Sequence, residues 1–362
     1  DLKDQPTLFK IIKKKDVLIT YPYQSFDHLI DLLREASIDP CVKNVKITLY
    51  RVAKNSNIVK ALINALKNGK EVTAVVELQA RFDEESNIYW ANKLQEEGAK
   101  VIYGVPGLKV HSKMFIISRK ENNSLVKYAH IGTGNFNGDT AKIYTDHSLL
   151  TADKRITEEV EKVFAFYADN LKTGSYDHLL VSPFFMRKEL VKLINTEIKN
   201  ALNKKEAYII LKLNNLVDVD MIKKLYEASS KGVKIKMIIR GTCSLVAGVK
   251  GMSDNIEAIS VIDKFLEHSR LFIFCNGGKE KYFLSSADWM TRNLDHRSEV
   301  AVPIYDKAIQ QHLREIMDTL WSDNTKARVL GVKQNNEYRV LKNDIHVRAQ
   351  EKIYNLLKPR KT

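Results

Sequence analysis

One pattern occurs twice in this chain. His111-Ser112-Lys113 runs into the apolar stretch Met114-Phe115-Ile116-Ile117, and His268-Ser269-Arg270 runs into Leu271-Phe272-Ile273-Phe274. Each stretch leads to a turn of small residues, GTGN at 132–135 and SSAD at 285–288. The likeness extends upstream. Ile47-Thr48-Leu49-Tyr50-Arg51 lines up with Ile210-Leu211-Lys212-Leu213-Asn214, and 69–77 (GKEVTAVVE) with 232–240 (GVKIKMIIR), both at an offset of 163 residues. The histidines are offset by 157 and the turns by 153, so the second copy has lost a few residues. Ordered matches of strand, helix, strand, histidine motif and turn mark an internal duplication. A duplicated chain folds as two like units, and a pseudo-twofold axis between them can bring the two histidines face to face.

The length of 362 residues suits two domains, each able to bury its own core. The boundary is expected near 177–183, after the Gly174-Ser175 break, giving domains 1–178 and 179–362. In the first copy, apolar runs at 17–20, 45–50, 72–77, 114–117 and 127–131 read as strands. Helical periodicity covers 25–36, 57–68, 85–97 and 157–170. Such alternation predicts an α/β class: in each unit a mixed, largely parallel sheet flanked by helices. The tail at 345–357 reads as a basic amphipathic helix that packs rather than acts. Lys and Arg outnumber Asp and Glu by 58 to 44, a net charge of +14. That fits a polyanionic partner without naming it, and fits an ordinary solvated basic surface as well. Three scattered cysteines have neither metal-ligand nor disulfide spacing, as in a reducing compartment. No stretch reads as a signal peptide, and no apolar run is long enough to span a bilayer. The chain starts at Asp1 without a methionine, as a piece of a longer protein would.

Each copy supplies a histidine, a cation two residues later (Lys113, Arg270), a turn amide or carboxyl (Asn135, Asp288) and a carboxylate eleven residues after that (Asp146, Glu299). Together these residue types suit phosphoryl transfer. A histidine nucleophile needs one ring nitrogen free and the other N–H held by an acceptor, for which Asp146 and Glu299 are candidates. Helix capping or a structural ion pair would use the same carboxylates. Lys113 and Arg270 can neutralise phosphoryl oxygens, where charge spreads in a loose transition state. The Gly132-Thr133-Gly134 backbone can turn N–H groups toward an anion. Arg51, Arg81 and Arg240 fall at or just beyond strand C-termini, where ligands gather in open α/β sheets. A salt bridge of Arg81 with Asp83 or Glu84 competes with that role. Tyr144 reads equally as a core aromatic. Trp90, Trp289 and Trp321 read as packing residues, and His130 and His147 carry no signal of their own.

The constellation resembles the phospholipase D superfamily, whose pattern is HxK, then Asp, then GSxN, twice per active site. The chain departs from it in four ways. His111 and Asn135 are further apart than that pattern allows, and Ser118 and Cys275 stand where its Asp is expected. Arg270 replaces Lys, and Asp288 replaces Asn. A closer resemblance covers nearly the whole chain. YPYQSFDHLIDLLREASIDP, LYRVAKNSNIV, VVELQARFDEESNI, PGLKVHSKMFIISRKEN, YAHIGTGNFN, YTDHSLLTADKRIT, RGTCSL, LEHSRLFIF and SSADWMTRN are similar, in order and spacing, to the long-chain (type 1) polyphosphate kinases. In that family two phospholipase D-like domains form the C-terminal half, behind an N-terminal and a head domain. The resemblance implies that His111 is phosphorylated by ATP through Nε2. It casts His268 as the opposing histidine, contacting phosphates or moving a proton. It makes Tyr144 and Arg240 nucleotide contacts, and Arg51 and Arg81 magnesium-associated positions. A guanidinium has no free lone pair, so both arginines are read as phosphate clamps beside Mg2+ held by phosphate oxygens and water. The implied partners are ATP, ADP and inorganic polyphosphate, in a homo-oligomer (dimer or tetramer) of the full-length protein. No nucleic acid is expected. The implied location is the cytoplasm, with peripheral association at the inner face of the membrane allowed.

Two other readings stand beside this one. A phospholipase D-like phosphodiesterase would share the histidine pair, attack a lipid or nucleic-acid diester and finish with water. A non-catalytic polyanion-binding module would not need His111.

Overall fold

The repeat reappears in the backbone of the computed structural model, which describes residues 7–78, 84–340 and 346–358. The first copy runs α1 (Leu8–Lys14), β1 (Val17–Tyr21), α2 (Asp27–Ile38), β2 (Val42–Leu49), α3 (Asn57–Lys67), β3 (Glu71–Val76), α4 (Glu84–Glu96), β4 (Lys100–Tyr103), β5 (Lys109–Val110), β6 (Lys113–Glu121), β7 (Ser124–Gly132), β8 (Tyr144–Thr151) and α5 (Lys154–Ala168). The second runs β9 (Leu180–Ser182), α6 (Met186–Leu202), β10 (Tyr208–Leu213), α7 (Val219–Ser230), β11 (Lys234–Ile239), β12 (Ile256–Val261), β13 (Leu266–Glu267), β14 (Arg270–Phe274), β15 (Lys281–Ser285), α8 (Thr291–Asp295), β16 (Arg297–Ile304), α9 (Lys307–Trp321), β17 (Ala327–Val329) and α10 (Ala349–Leu357).

Each copy builds one sheet with the same strand order. The order β4-β3-β2-β6-β7-β8-β1 in the first matches β12-β11-β10-β14-β15-β16-β9 in the second, and β17 is added beside β12. The sheets are mixed, as the alternation predicts, but their parallel part is smaller than expected. It covers β2-β3-β4 and β10-β11-β12, where helices carry the chain across. After each histidine the chain instead runs antiparallel through β6–β7–β8 and β14–β15–β16, and the first pair of each is joined by a short connection, which only antiparallel strands allow. The β6–β7 turn is Asn122-Asn123, both with positive φ, the backbone a tight hairpin requires.

The register corrects one of the sequence alignments. Ile47 lies opposite Phe115, whereas Leu211 lies opposite Phe272, so Ile47 corresponds to Leu211 rather than Ile210. Leu49 beside Val76 likewise matches Leu213 beside Ile239. The first upstream pair is therefore offset by one residue more than the second. Apolar residues stand on both sides of the slip, which is why the strings align either way. Thr48 now answers to Lys212, and Tyr50 to Asn214.

Helix boundaries follow the same duplicated logic. Ser56 caps α3 by accepting from Val59 N at 3.2 Å, and Asp218 caps α7 by accepting from Met221 N at 3.0 Å. Both helices end in a left-handed glycine, Gly69 at φ 73° and Gly232 at φ 91°, before the next parallel strand. Asp153 and Asp306 cap α5 and α9 in the same way.

Alternation along the central strands sorts the core into layers. Phe115 and Ile117 of β6 join a cluster with α2 and α3 that belongs wholly to the first copy. Phe272 and Phe274 of β14 join a second-copy cluster with α6 and α7. The intervening residues, Met114 and Ile116 with Leu271 and Ile273, point into a third cluster that both copies share with α5 and α9. The two units are thus fused through a common core. Two short strands cross the seam. β5 joins the second sheet beside β16, and β13 joins the first sheet beside β8. These are the strands that lead into the two histidines.

Candidate active site

Each histidine is delivered by one copy and held by the other. The backbone N–H groups of His111 and Ser112 both donate to Ser298 O at 2.9 Å. Those of His268 and Ser269 donate to Thr145 O at 3.2 and 2.8 Å. The ring of His111 meets the Glu299 carboxylate through Nδ1 at 2.8 Å. The ring of His268 meets Asp146 through Nδ1 at 2.8 Å. Each carboxylate has its own hydroxyl donor. Thr133 Oγ1 reaches Asp146 at 2.6 Å, and Ser286 Oγ reaches Glu299, which also accepts from Asn293 Nδ2 at 2.6 Å.

These contacts fix the tautomers. A carboxylate only accepts, so Nδ1 carries the proton and Nε2 keeps its lone pair. The two Nε2 atoms differ in surroundings. That of His268 faces Arg270 Nη1 at 3.2 Å. That of His111 makes no hydrogen bond among the described residues, and the side chain keeps 12% of its surface open. Burial pushes His111 down to about 3, against the pull of Glu299, so the ring is neutral. Burial would raise Glu299, but His111, Lys113 and Ser286 bring it below its ordinary value and keep it ionised. Burial likewise opposes ionisation of Asp146, and His268, Thr133 and Arg270 prevail.

The two cations have different neighbours. Lys113 is buried, donates to His111 O, and stands 4.9 Å above the Tyr50 ring. Burial drops its ammonium well below the ordinary value; Glu299 opposes that, and Arg270 and Arg297 reinforce it. Arg270 is paired with Asp288 at 3.2 Å. Asp288 also accepts from Asn214 N at 2.8 Å, so the residue that replaces the expected Asn neutralises the residue that replaces the expected Lys.

The remaining expected residues spread around this centre. The Tyr144 ring lies 5.2 Å from that of His268. Arg240 is anchored by Nε to Glu267 O at 2.9 Å and by Nη2 to Asn214 Oδ1 at 3.0 Å. Arg51 sits 5.9 Å from the Tyr50 ring, which packs edge-on against His111 at 4.6 Å. Asn135 forms no hydrogen bond with either histidine, its Oδ1 being buried without a partner among the described residues, and Arg81 lies outside them. The GTGN turn also differs from expectation. The Thr133 N–H is engaged by His147 O at 3.0 Å rather than offered to an anion. Gly134 is needed because a Cβ there would collide with the Asp146 carboxylate.

Sequence reasoning missed two cations and two hydroxyls. Lys109 and Arg297 face each other in register between β5 and β16. Arg297 is close enough to act on His111, Lys113, Tyr50 and Lys109. The signal was strand alternation: Lys109 precedes His111 by two residues, and Arg297 precedes Glu299 by two. Thr133 and Ser286 could have been found as the hydroxyls at matching places in the two turns.

The donor set does not suit a protein-held magnesium ion. No group of three His, Cys, Asp or Glu with ligand geometry occurs among the described residues. Asp146 and Glu299 are committed to the histidines, and Arg51 has no lone pair to give.

Comparison with known proteins concerns the chain as a whole. The family model "Polyphosphate kinase C-terminal domain 1" matches residues 7–173, and "Polyphosphate kinase C-terminal domain 2" matches 179–350. The polyphosphate kinase of Escherichia coli strain K12 is 53% identical over 350 residues, which are 97% of this chain and 51% of that protein. That of Vibrio parahaemolyticus is 50% identical over 358 residues, 99% of this chain and 51% of that protein. The chain therefore spans about half the length of the curated relatives it matches. The crystal structure of polyphosphate kinase from Porphyromonas gingivalis superposes with a TM-score of 0.91 at 39% identity, over 98% of this chain and 55% of that one. Phosphatidylserine synthase of Haemophilus influenzae, at 10% identity and a TM-score of 0.59 over 95% of this chain and 92% of that one, shares the fold alone. The chain belongs to the polyphosphate kinase family, and carries its two C-terminal domains.

Proposed function

We propose that this chain performs the phosphoryl-transfer chemistry of a polyphosphate kinase, with His111 as the nucleophile. The observation that carries this reading is the asymmetry of the two Nε2 atoms: one open, one facing an arginine. Nε2 of His111 attacks the γ-phosphorus of ATP in line. The bond from that phosphorus to the β–γ bridging oxygen breaks, and ADP leaves. The terminal oxygen of a polyphosphate chain then attacks the phosphohistidine, the P–N bond breaks, and the polymer is one unit longer. Overall one phosphoanhydride bond is exchanged for another, so the reaction runs in either direction. Glu299 holds the Nδ1 proton and offsets the positive charge that grows on the ring during attack. Lys113, Lys109, Arg51 and Arg297 offset the phosphoryl oxygens, with Arg81 assigned to the same task. His268, held by Asp146 and flanked by Arg270, Tyr144 and Arg240, binds the nucleotide phosphates from the opposite side. Magnesium enters with the nucleotide, held by phosphate oxygens and water. The full-length enzyme is expected to be a cytoplasmic homo-oligomer. No helix among the described residues is long and apolar enough to cross a membrane.

The test is labelling with γ-labelled ATP and magnesium, on this chain and on the full-length protein. Acid-labile, base-stable label is expected, lost in His111→Ala and retained in His268→Ala. The reverse pattern would overturn the assignment. Hydrolysis of a phosphodiester with no label from ATP, in the full-length protein, would replace kinase chemistry by diesterase chemistry.

A further inference from the structure

Beside Asp146 lies a small cavity where polar atoms of three lining residues are left with unmet hydrogen-bonding capacity. Its volume is about 10 Å3, and its lining includes Tyr21, His130, Asn135, Phe136, Asp146 and Ser148. His130 Nδ1 and Asn135 Oδ1 are buried and form no hydrogen bond with the protein, and the buried Tyr21 hydroxyl has only Ser148 near its oxygen and no acceptor for its own proton. Tyr21 is 3% exposed and His130 1%, so bulk solvent does not serve them. The His130 ring is already engaged on its other nitrogen. Its Nε2 is 2.8 Å from Ser148 Oγ, and the ring packs in one cluster with Phe115 and Phe136, each with its centroid 4.9 Å away. Each group left unmet would cost about 1–3 kcal/mol.

We propose that one water molecule is built into this cavity and completes the wall against which Asp146 rests. The volume matches the roughly 10–15 Å3 that a single buried water needs. With the Ser148 hydroxyl donating to the Tyr21 oxygen, the remaining bonds close on the water. The Tyr21 hydroxyl donates to the water oxygen. The water donates one hydrogen to His130 Nδ1 and the other to Asn135 Oδ1. This assignment makes His130 the Nε2–H tautomer, donating to Ser148 Oγ. It also gives Asn135 a place: it seats the water beside the carboxylate that orients His268 and does not touch phosphate. With the water present, Asp146 faces a filled, hydrogen-bonded wall and cannot withdraw into an empty one.

The test is a crystal structure of the chain that resolves ordered water, together with Tyr21→Phe and His130→Leu. The wild-type chain is expected to show one peak within hydrogen-bond reach of all three atoms. Tyr21→Phe should keep that peak with two partners, and His130→Leu should lose it. A wild-type cavity without a peak, or one closed by rotation of Asn135, would overturn the proposal. So would a peak with the short contacts of a metal ion. In solution, oxygen-17 relaxation dispersion should count one fewer long-lived water in His130→Leu than in wild type, and equal counts would sink the proposal. If His130→Leu fails to fold, the wild-type and Tyr21→Phe maps decide alone.

Discussion

At the residue scale, the sequence showed which groups would meet but not which copy would hold which. Asp146 follows His111 in the chain and Glu299 follows His268, yet each carboxylate serves the other copy's ring. The exchange arises because β5 and β13 cross to the opposite sheet, and strands of two residues leave almost no pattern to read. It makes a specific prediction. Glu299→Gln keeps the shape but removes the charge that balances the His111 ring. Label formation on His111 should slow by roughly 10²- to 10⁴-fold, the usual worth of such acid–base support. Asp146→Asn should leave that label forming and slow complete turnover instead. Rapid-quench labelling separates the two steps. If Asp146→Asn abolishes label while Glu299→Gln leaves it intact, the exchanged pairing is not the working one.

At the element scale, the longer apolar runs were legible as strands, whereas the short β4 and the polar interior of β8 were not. The five expected strands and four expected helices of the first copy all exist, with ends displaced by a few residues. β8 escaped notice because Thr145, Asp146, His147 and Ser148 look like a loop, yet all four are buried. Their polar groups are met inside the fold, as by Thr20 Oγ1 at 3.1 Å from His147 Nδ1. The tail helix expected at 345–357 is present as α10, and residue 345 lies outside the described residues. It packs on the shared core through Ala349 and Ile353, and it also supports the site. Gln350 Nε2 donates to Phe265 O and to Glu267 Oε1, both at 2.8 Å. Glu267 is further tied to Lys212 at 3.0 Å and Thr145 Oγ1 at 2.8 Å. Lys212 Nζ also reaches Ser269 O, the place that Thr48 Oγ1 takes on Ser112 O in the first copy. α10 therefore clamps the strand that presents His268. Gln350→Ala should loosen that strand and lower turnover about tenfold, the equivalent of ~1.4 kcal/mol. Label formation on His111 should change little. Steady-state assays beside single-turnover labelling check this, and wild-type turnover in the variant would remove α10 from the site's support.

At the scale of the whole molecule, the two-histidine design places titratable groups in a common core, and that has a cost in acid. The duplication was legible from the start, because both copies kept their apolar strings. The fusion of the units through one core was not, since which face of a strand meets which partner is set by tertiary packing rather than by alternation. His111, His130 and His147 are all held near 3 by burial, against an ordinary value of 6.5. A depressed histidine binds its proton in the unfolded chain first. Its contribution to stability is therefore complete above 6.5 and falls as the pH drops toward 3. Near pH 5 each should have withdrawn on the order of 2 kcal/mol, and three together a sizeable share of a stability of roughly 5–15 kcal/mol. Glu299 and Asp146, depressed below their ordinary values, add to the loss at lower pH still. Urea unfolding should thus show midpoints that fall steeply from about pH 6.5 to 5, with an uptake of three protons on unfolding for these three rings. His147→Gln, which keeps a partner for Thr20, should lower that uptake by one. A midpoint that stays flat over this range would mean that the rings are already protonated in the folded state. Nε2 of His111 would then lose its lone pair over this range instead of keeping it, and labelling would have to fall off with the same pH dependence.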